Sequence, residues 1–263
     1  MYNFDYVKAG SVAEAVQALG AEEAQAISGG QTLIPTLKQR LGQPSVLVDL
    51  SGIAEMSGIE IGPDSVTVKG ATRHADVEHS SDVKRIFPAL AALAGGIGDP
   101  QVRNKGTIGG SVANNDPSAC YPAACLGTGA IIMTSAGDIA ADDFFQGMFD
   151  TALDEGQIVT GVRFPIPNRA SYAKFVQPAS RFALVGVFVS QSASGVRVAV
   201  TGASESGVFR WSKAEAALSA GFSADALAGM APAADGMIGD LHGSPEYRAH
   251  LVGVMTRRAV SAA

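Results

Sequence analysis

Apolar residues recur at helical spacing between Ser11 and Leu19, behind a capping serine with Glu14 three residues on, and the run stops at Gly20. This pattern predicts a first helix. Ala24–Ile27 reads as a short strand entering the turn Ser28-Gly29-Gly30-Gln31-Thr32. Leu33, Ile34, Leu37 and Leu41 form the apolar stripe of a second helix, with Pro35 in its first turn and Gly42 and Pro44 ending it. Val46–Leu50 is a second strand, so this region is expected to form a small βαβ unit. Ile59–Ile61 and Ser65–Val68 flank Gly62-Pro63-Asp64 as a hairpin.

A helix rich in Leu and Ala is expected from about Ser81 to Ala94, leading through Gly95 and Pro100 to a second glycine stretch, Gly106-Thr107-Ile108-Gly109-Gly110-Ser111. Strand-like runs resume from Ile131 to Phe164. Pro165 and Pro167 interrupt regular structure and mark the expected domain boundary. Beyond it, Phe182–Gln191 and Val196–Ala203 read as a hairpin about Ser192 to Gly195, followed by helices near Ser212–Ala220, Ser223–Met230 and Ser244–Val260. That is a small C-terminal α+β domain.

The chemistry concentrates in the two glycine stretches. Glycine permits positive φ and close backbone approach, so successive N–H groups can converge on phosphate oxygens without a cationic side chain. One such turn is equally well a plain tight connection; two of them look like the halves of one pyrophosphate cradle, with a dinucleotide as the guest. Asn114-Asn115-Asp116-Pro117 follows the second stretch with side chains suited to hydroxyls and phosphates, and Arg103 and Lys105 precede it, as phosphate partners or as a solvated pair. A Rossmann site fits poorly, because neither stretch is GxGxxG in one βαβ unit with an acidic residue about twenty positions on. A Walker loop fails too, since neither ends in Gly-Lys-Ser/Thr.

Composition narrows the class. The chain has 263 residues, 47% apolar and 17% charged, with 31 glycines and a net charge of −6, which argues for a loop-rich globular protein and against nucleic-acid or anionic-membrane partners. No apolar run is long enough for membrane insertion and no leader pattern is present, so a cytoplasmic location is expected. Cys120 and Cys125, four residues of chain between them, are neither a CxxC pair nor enough thiols for a zinc or iron–sulfur site. Any redox chemistry therefore needs a bound organic cofactor. His74 and His79 sit in a polar stretch after Ala71-Thr72-Arg73 and are assigned structural or surface roles; no His, Asp or Glu spacing suggests a metal, and no nucleophile arrangement stands out.

Ser28-Gly29-Gly30-Gln31-Thr32 with Leu33-Ile34-Pro35, Asp99-Pro-Gln-Val-Arg103, Gly106 to Pro117, and Gly243-Ser-Pro-Glu-Tyr-Arg248 together resemble the FAD-binding medium subunit of molybdenum hydroxylases, colinearly over almost the whole chain. The resemblance implies an α+β, PCMH-type (vanillyl-alcohol-oxidase-like) FAD-binding domain over residues 1–168, with subdomains of about 1–52 and 53–168, and a small C-terminal domain over 169–263. By resemblance, Ile27, Ser28, Gly29, Gly30, Gln31, Thr32 and Leu33, with Thr107, Ile108, Gly109, Gly110 and Ser111, wrap the FAD pyrophosphate, mostly through backbone N–H groups. Asn115 and Asp116 lie along the ribityl and isoalloxazine side, and Val159 and Gln177 belong to stretches that run near the flavin. Relatives often carry an acidic residue at the position of Cys120.

Gln31 stands where several covalent flavoproteins of the broader fold place a histidine, so FAD is expected to be noncovalent. A cysteine-bearing insertion that holds an extra cluster in some relatives is absent. The implied role is electron transfer: a large molybdenum-binding subunit hydroxylates substrate, a small subunit carries [2Fe-2S] clusters, and this chain's FAD passes electrons to an external acceptor, in a dimer of heterotrimers. Two other readings remain open: an autonomous FAD-dependent oxidase or dehydrogenase, and a non-catalytic nucleotide-binding assembly module. Flavin reduction by a partner separates the first from both.

Overall fold

The computed structural model describes residues 1–263, in three successive α+β units. The first contains β1 (Asp5–Lys8), α1 (Val12–Leu19), β2 (Ala24–Ile27), α2 (Leu33–Lys38) and β3 (Val46–Asp49). Its sheet runs β1-β3-β2, all parallel, so the expected βαβ unit is present, with β1 as an unanticipated third strand. The Ser11 hydroxyl accepts from Glu14 N at 3.2 Å and the Glu14 carboxylate accepts from Gly10 N at 2.8 Å, which fixes the start of α1. The second helix is shorter than its apolar stripe suggests. Arg40 takes a φ of +59°, turning the chain before Leu41, which is 74% exposed instead of lying on the stripe.

The middle unit opens with β4 (Ile59–Ile61) and β5 (Ser65–Lys69), the expected hairpin, and continues with α3 (His74–His79), α4 (Ser81–Ile86), α5 (Pro88–Gly95), α6 (Pro100–Arg103), α7 (Ile108–Asn114) and α8 (Tyr121–Thr128). The single helix expected from Ser81 to Ala94 is divided between α4 and α5 at Phe87, because Pro88 has no N–H to continue the ladder; Phe87 lies at φ −141° and ψ 63°. The polar stretch around His74 forms α3. The unit closes with β6 (Ile131–Thr134), β7 (Gly137–Ala140), α9 (Ala141–Phe144), the small hairpin β8 (Phe145–Gly147) and β9 (Asp150–Thr151), and β10 (Val159–Pro165). Its antiparallel sheet runs β4-β5-β10-β6-β7.

The last unit is an antiparallel meander of β11 (Arg169–Val176), β12 (Ala183–Ser192), β13 (Gly195–Thr201) and β14 (Phe209–Arg210), with α10 (Ser212–Ala220) and α11 (Pro245–Ala262). The hairpin of β12 and β13 is as expected, whereas β11 is an addition and Ser223–Met230 contains only a single 3₁₀ turn at Ala224–Leu227. Successive residues of β12 enter different cores: Val187 and Val189 pack toward α11, while Phe188 joins the core of the middle unit. Phe87 meets Phe164 and Phe188 edge to face at 6.4 and 6.3 Å, so one aromatic ties the middle sheet to the last. No helix is long and apolar enough to cross a membrane.

Candidate functional site

All three units contribute to one cleft of about 610 Å³. Its first wall is the turn after β2. Backbone N–H groups of Ser28 through Leu33 donate to nothing within the protein, and Gly30 sits at φ +68°. A run of unpaired amides on a concave surface is an anion nest. Gln31 Nε2 returns to the Gly29 carbonyl at 3.1 Å and stiffens the turn.

The second glycine stretch behaves differently from the expectation that its amides face the ligand. Thr107 caps α7 through Gly110 N at 3.3 Å, while Ile108 N donates to Thr72 O at 3.1 Å and Gly109 N to Gly70 O at 2.8 Å. Its amides thus anchor α7 to the strap after β5. A Cβ on Gly109 would lie 2.7 Å from Gly70 O, and one on Gly29 would lie 2.2 Å from Lys105 O. These two glycines allow backbone to meet backbone across the seam, whereas a Cβ on Gly110 would meet only Thr107 Oγ1, at 3.2 Å, and otherwise project into the cleft. Ser28 Oγ and Thr107 Oγ1 are hydrogen-bonded at 2.9 Å, which joins the two stretches into one surface.

The remaining walls come from Asp116 to Cys120 and from the last unit. Thr201 Oγ1 donates to the carbonyls of Pro117 and Ala119, both at 2.8 Å, pinning that segment to β13. Asp116 Oδ1 accepts from Ser118 N at 2.8 Å, an Asx turn on the cleft wall. Ile158 and Val159 enter at the start of β10, beside a register shift between Val159 and Gly161.

Three anticipated residues lie off the wall. Ile108 is fully buried in the middle core. Asn115, at φ +42°, closes the C-terminus of α7 and gives both amide hydrogens to Gly147 O and Asp150 O, at 2.7 and 2.8 Å, so it holds the small hairpin. Gln177 Oε1 accepts from Ala179 N and Ser180 N, both at 2.7 Å, and folds the turn that carries Ser180, Arg181 and Phe182 to the rim. Arg103 is also occupied elsewhere: its Nε donates to Glu78 at 2.6 Å. Lys105 does not line the cleft either, whereas the other anticipated cofactor positions do.

His74, Cys120 and Lys174 also line the cleft, although the sequence reading placed none of them there. The His74 amide donates to Gly106 O at 2.9 Å, its ring is 4% exposed, and its Nδ1 has no partner. Burial, with the Arg103 charge adding, pushes its pKa down to about 4, so the imidazole is neutral near pH 7. Both cysteines are buried free thiols, and burial pushes Cys125 well above the ordinary thiol range. No group of three or more His, Cys, Asp or Glu could hold a metal ion. His74 was hidden from the sequence because its burial comes from Gly106 and Tyr121, more than thirty residues along the chain.

Comparisons with known proteins show the family. Residues 2–167 match the family described as the FAD binding domain in molybdopterin dehydrogenase. The carbon monoxide dehydrogenase medium chain of Afipia carboxidovorans is 34% identical over 99% of this chain and 96% of its own length. The nicotine 6-hydroxylase medium subunit of Paenarthrobacter nicotinovorans is 33% identical, over 97% and 95%. A chain of the reconstituted CO dehydrogenase from Oligotropha carboxidovorans superposes with a TM-score of 0.87 at 31% identity, covering 99% of this chain and 97% of that one.

Proposed function

Because the chain belongs to the family of FAD-binding domains of molybdopterin dehydrogenases, we propose that it is the subunit through which such an enzyme's electrons leave, accepting them from iron–sulfur clusters in a partner and passing them to an external acceptor. The protein is a flavin subunit of a molybdenum-containing oxidoreductase, its fold is the PCMH-type α+β fold, and its cofactor is FAD. Molybdenum cofactor and clusters reside in other subunits. We assign residues 1–168 to the FAD domain and 169–263 to the C-terminal domain, and place the chain in a dimer of heterotrimers in the cytoplasm.

The cleft fits a dinucleotide on its own terms. Unpaired amides from Ser28 to Leu33 match a pyrophosphate, Gly110 leaves space a Cβ would take, and His74 Nδ1 is a buried polar atom lacking a partner. That amide run is the observation that carries the reading. Bound FAD supplies redox chemistry that no side chain here provides. Ser28 to Thr32 orient the phosphates, Thr107 holds that turn against α7, and the Gln177 turn brings Arg181 and Phe182 over the rim to limit water. Asp116 is engaged in its own Asx turn and His74 is buried and neutral, so the cleft offers little to a substrate oxidised on the ring itself. This favours an electron relay over an autonomous oxidase.

The deciding experiment is gentle purification of the tagged chain with its partners and a visible spectrum before and after reduction. Flavin bands overlaid on broad iron–sulfur absorption, bleaching together, are expected. Flavin bands alone would move the autonomous enzyme forward, and a colourless complex after supplementation with FAD would leave the assembly module.

A further inference from the structure

Lys174 is the cleft's one firmly anchored cation. It rises from β11, where Nζ donates to Gly96 O at 2.6 Å and lies 3.6 Å from Cys120 Sγ, so residues from the end of α5, the start of α8 and the C-terminal sheet meet at its amine. No carboxylate lies within ion-pair distance of it. The other ionisable cleft groups are His74, buried and neutral, Asp116, turned into its Asx turn, and Arg181, exposed on the rim.

Position along the cleft gives this cation its meaning. The amide nest lies beside Thr107 at the N-terminus of α7, and the cleft follows α7 to Asp116, Ala119 and Cys120 beyond its C-terminus. Seven helical residues span roughly 10 Å at a rise of about 1.5 Å each. Lys174, held against Gly96 and Cys120, lies on the wall built by the segment beyond the C-terminus of α7 and by the C-terminal sheet, whereas the unpaired amides lie beside the N-terminus of α7. The phosphates are met by neutral amides, and the cation is held back for the far end.

We propose that Lys174 is a positioning and tuning residue that raises the reduction potential of the flavin ring, with no carboxylate beside it to pair its charge. The proposal rests on reading the cleft as the FAD site. Two electrons and one proton leave the reduced ring with one more negative charge than the oxidised ring, so a fixed cation beside it favours the reduced form.

The test uses the full chain loaded with FAD, titrated potentiometrically with dithionite and redox dyes and followed at the long-wavelength flavin band. Lys174→Met is expected to retain flavin and shift the oxidised-to-reduced equilibrium at least tenfold toward the oxidised form, a fall of about 30 mV for a two-electron couple. Lys174→Arg is expected to restore most of the shift, and Lys174→Gln repeats the neutral test in a polar side chain should Met release the flavin. An unchanged midpoint in flavin-loaded Met or Gln variants overturns the proposal, as does a midpoint in the Arg variant as low as in Met. Failure of the unaltered chain to hold any flavin would instead overturn the FAD-site reading.

Discussion

Gly29 and Gly106 pack backbone against backbone: a Cβ on Gly29 would sit 2.6 Å from the Gly106 Cα and 2.2 Å from the Lys105 carbonyl oxygen. Two glycine stretches far apart in the chain are therefore one seam, which the missing side chain of Gly29 allows, while a Cβ on Gly106 would meet the His74 ring instead, 2.7 Å from Nε2.

That seam and the cleft surface respond differently to added bulk. Gly29→Val is expected to destabilise the fold by roughly 3 kcal/mol or more, because backbone atoms on a neighbouring segment must move. Gly110→Val, whose side chain projects into the cleft and whose helix propensity is no worse than glycine's, is expected to fold with little loss of stability and to lose FAD. Thermal melts and the ratio of flavin to protein absorbance check both; flavin content unchanged in Gly110→Val would remove that residue from the cofactor surface.

Thr107 combines a helix cap with the tie to Ser28. Thr107→Ala should cost about 1 kcal/mol as a lost cap and weaken FAD retention further by freeing the Ser28 turn. Thr107→Ser keeps the hydroxyl and should behave like the unaltered chain in denaturant titration and in FAD dissociation.

His74 predicts a pH dependence whose sign follows from its lowered pKa of about 4 against about 6.5 in the unfolded chain. Between those values the unfolded state binds more protons, so stability is complete above about pH 6.5 and falls as pH drops toward about 4. At about 1.4 kcal/mol per pKa unit the loss reaches about 3 kcal/mol. Denaturant midpoints across this range, compared with those of His74→Asn, test it; equal slopes in both proteins would assign the dependence to other groups.

Arg248 holds the C-terminal unit from inside. Its guanidinium donates to Leu184 O and Gly202 O, both at 2.7 Å, and to Asp240 at 2.7 Å, with the residue 3% exposed. Arg248→Met leaves two buried carbonyls unmet and should lower stability by about 3 kcal/mol. Arg248→Lys recovers little, since one ammonium lacks the planar fork that reaches both carbonyls and the carboxylate. Chemical denaturation of the three proteins distinguishes these outcomes.

Local code carried the N-terminal βαβ unit: a Ser11 cap, the Gly20 stop and the Ala24–Ile27 run are each decided by residues within a turn or two, and the observed elements follow them closely. The same locality made Gly29, Gly30, Gly109 and Gly110 visible as candidates, because a paired glycine at a strand–helix junction is a short-range signal. Breaks were harder to read. Pro88 divided a helix whose Leu and Ala pattern continued through it, and Arg40 ended another before its last apolar residue.

The sequence by itself therefore determined the family, the glycine turns and most elements of regular structure, since those rest on motifs and periodicity along the chain. Only the tertiary structure decided what each group does. It separated amides that stay free, at Ser28 to Leu33, from those bound to Thr72 and Gly70; it moved Asn115 from ligand contact to holding the small hairpin; and it brought His74 and Lys174 to the cleft. The physical reason is that hydrogen-bond satisfaction, burial and charge pairing depend on partners tens of residues away, and no local window contains them.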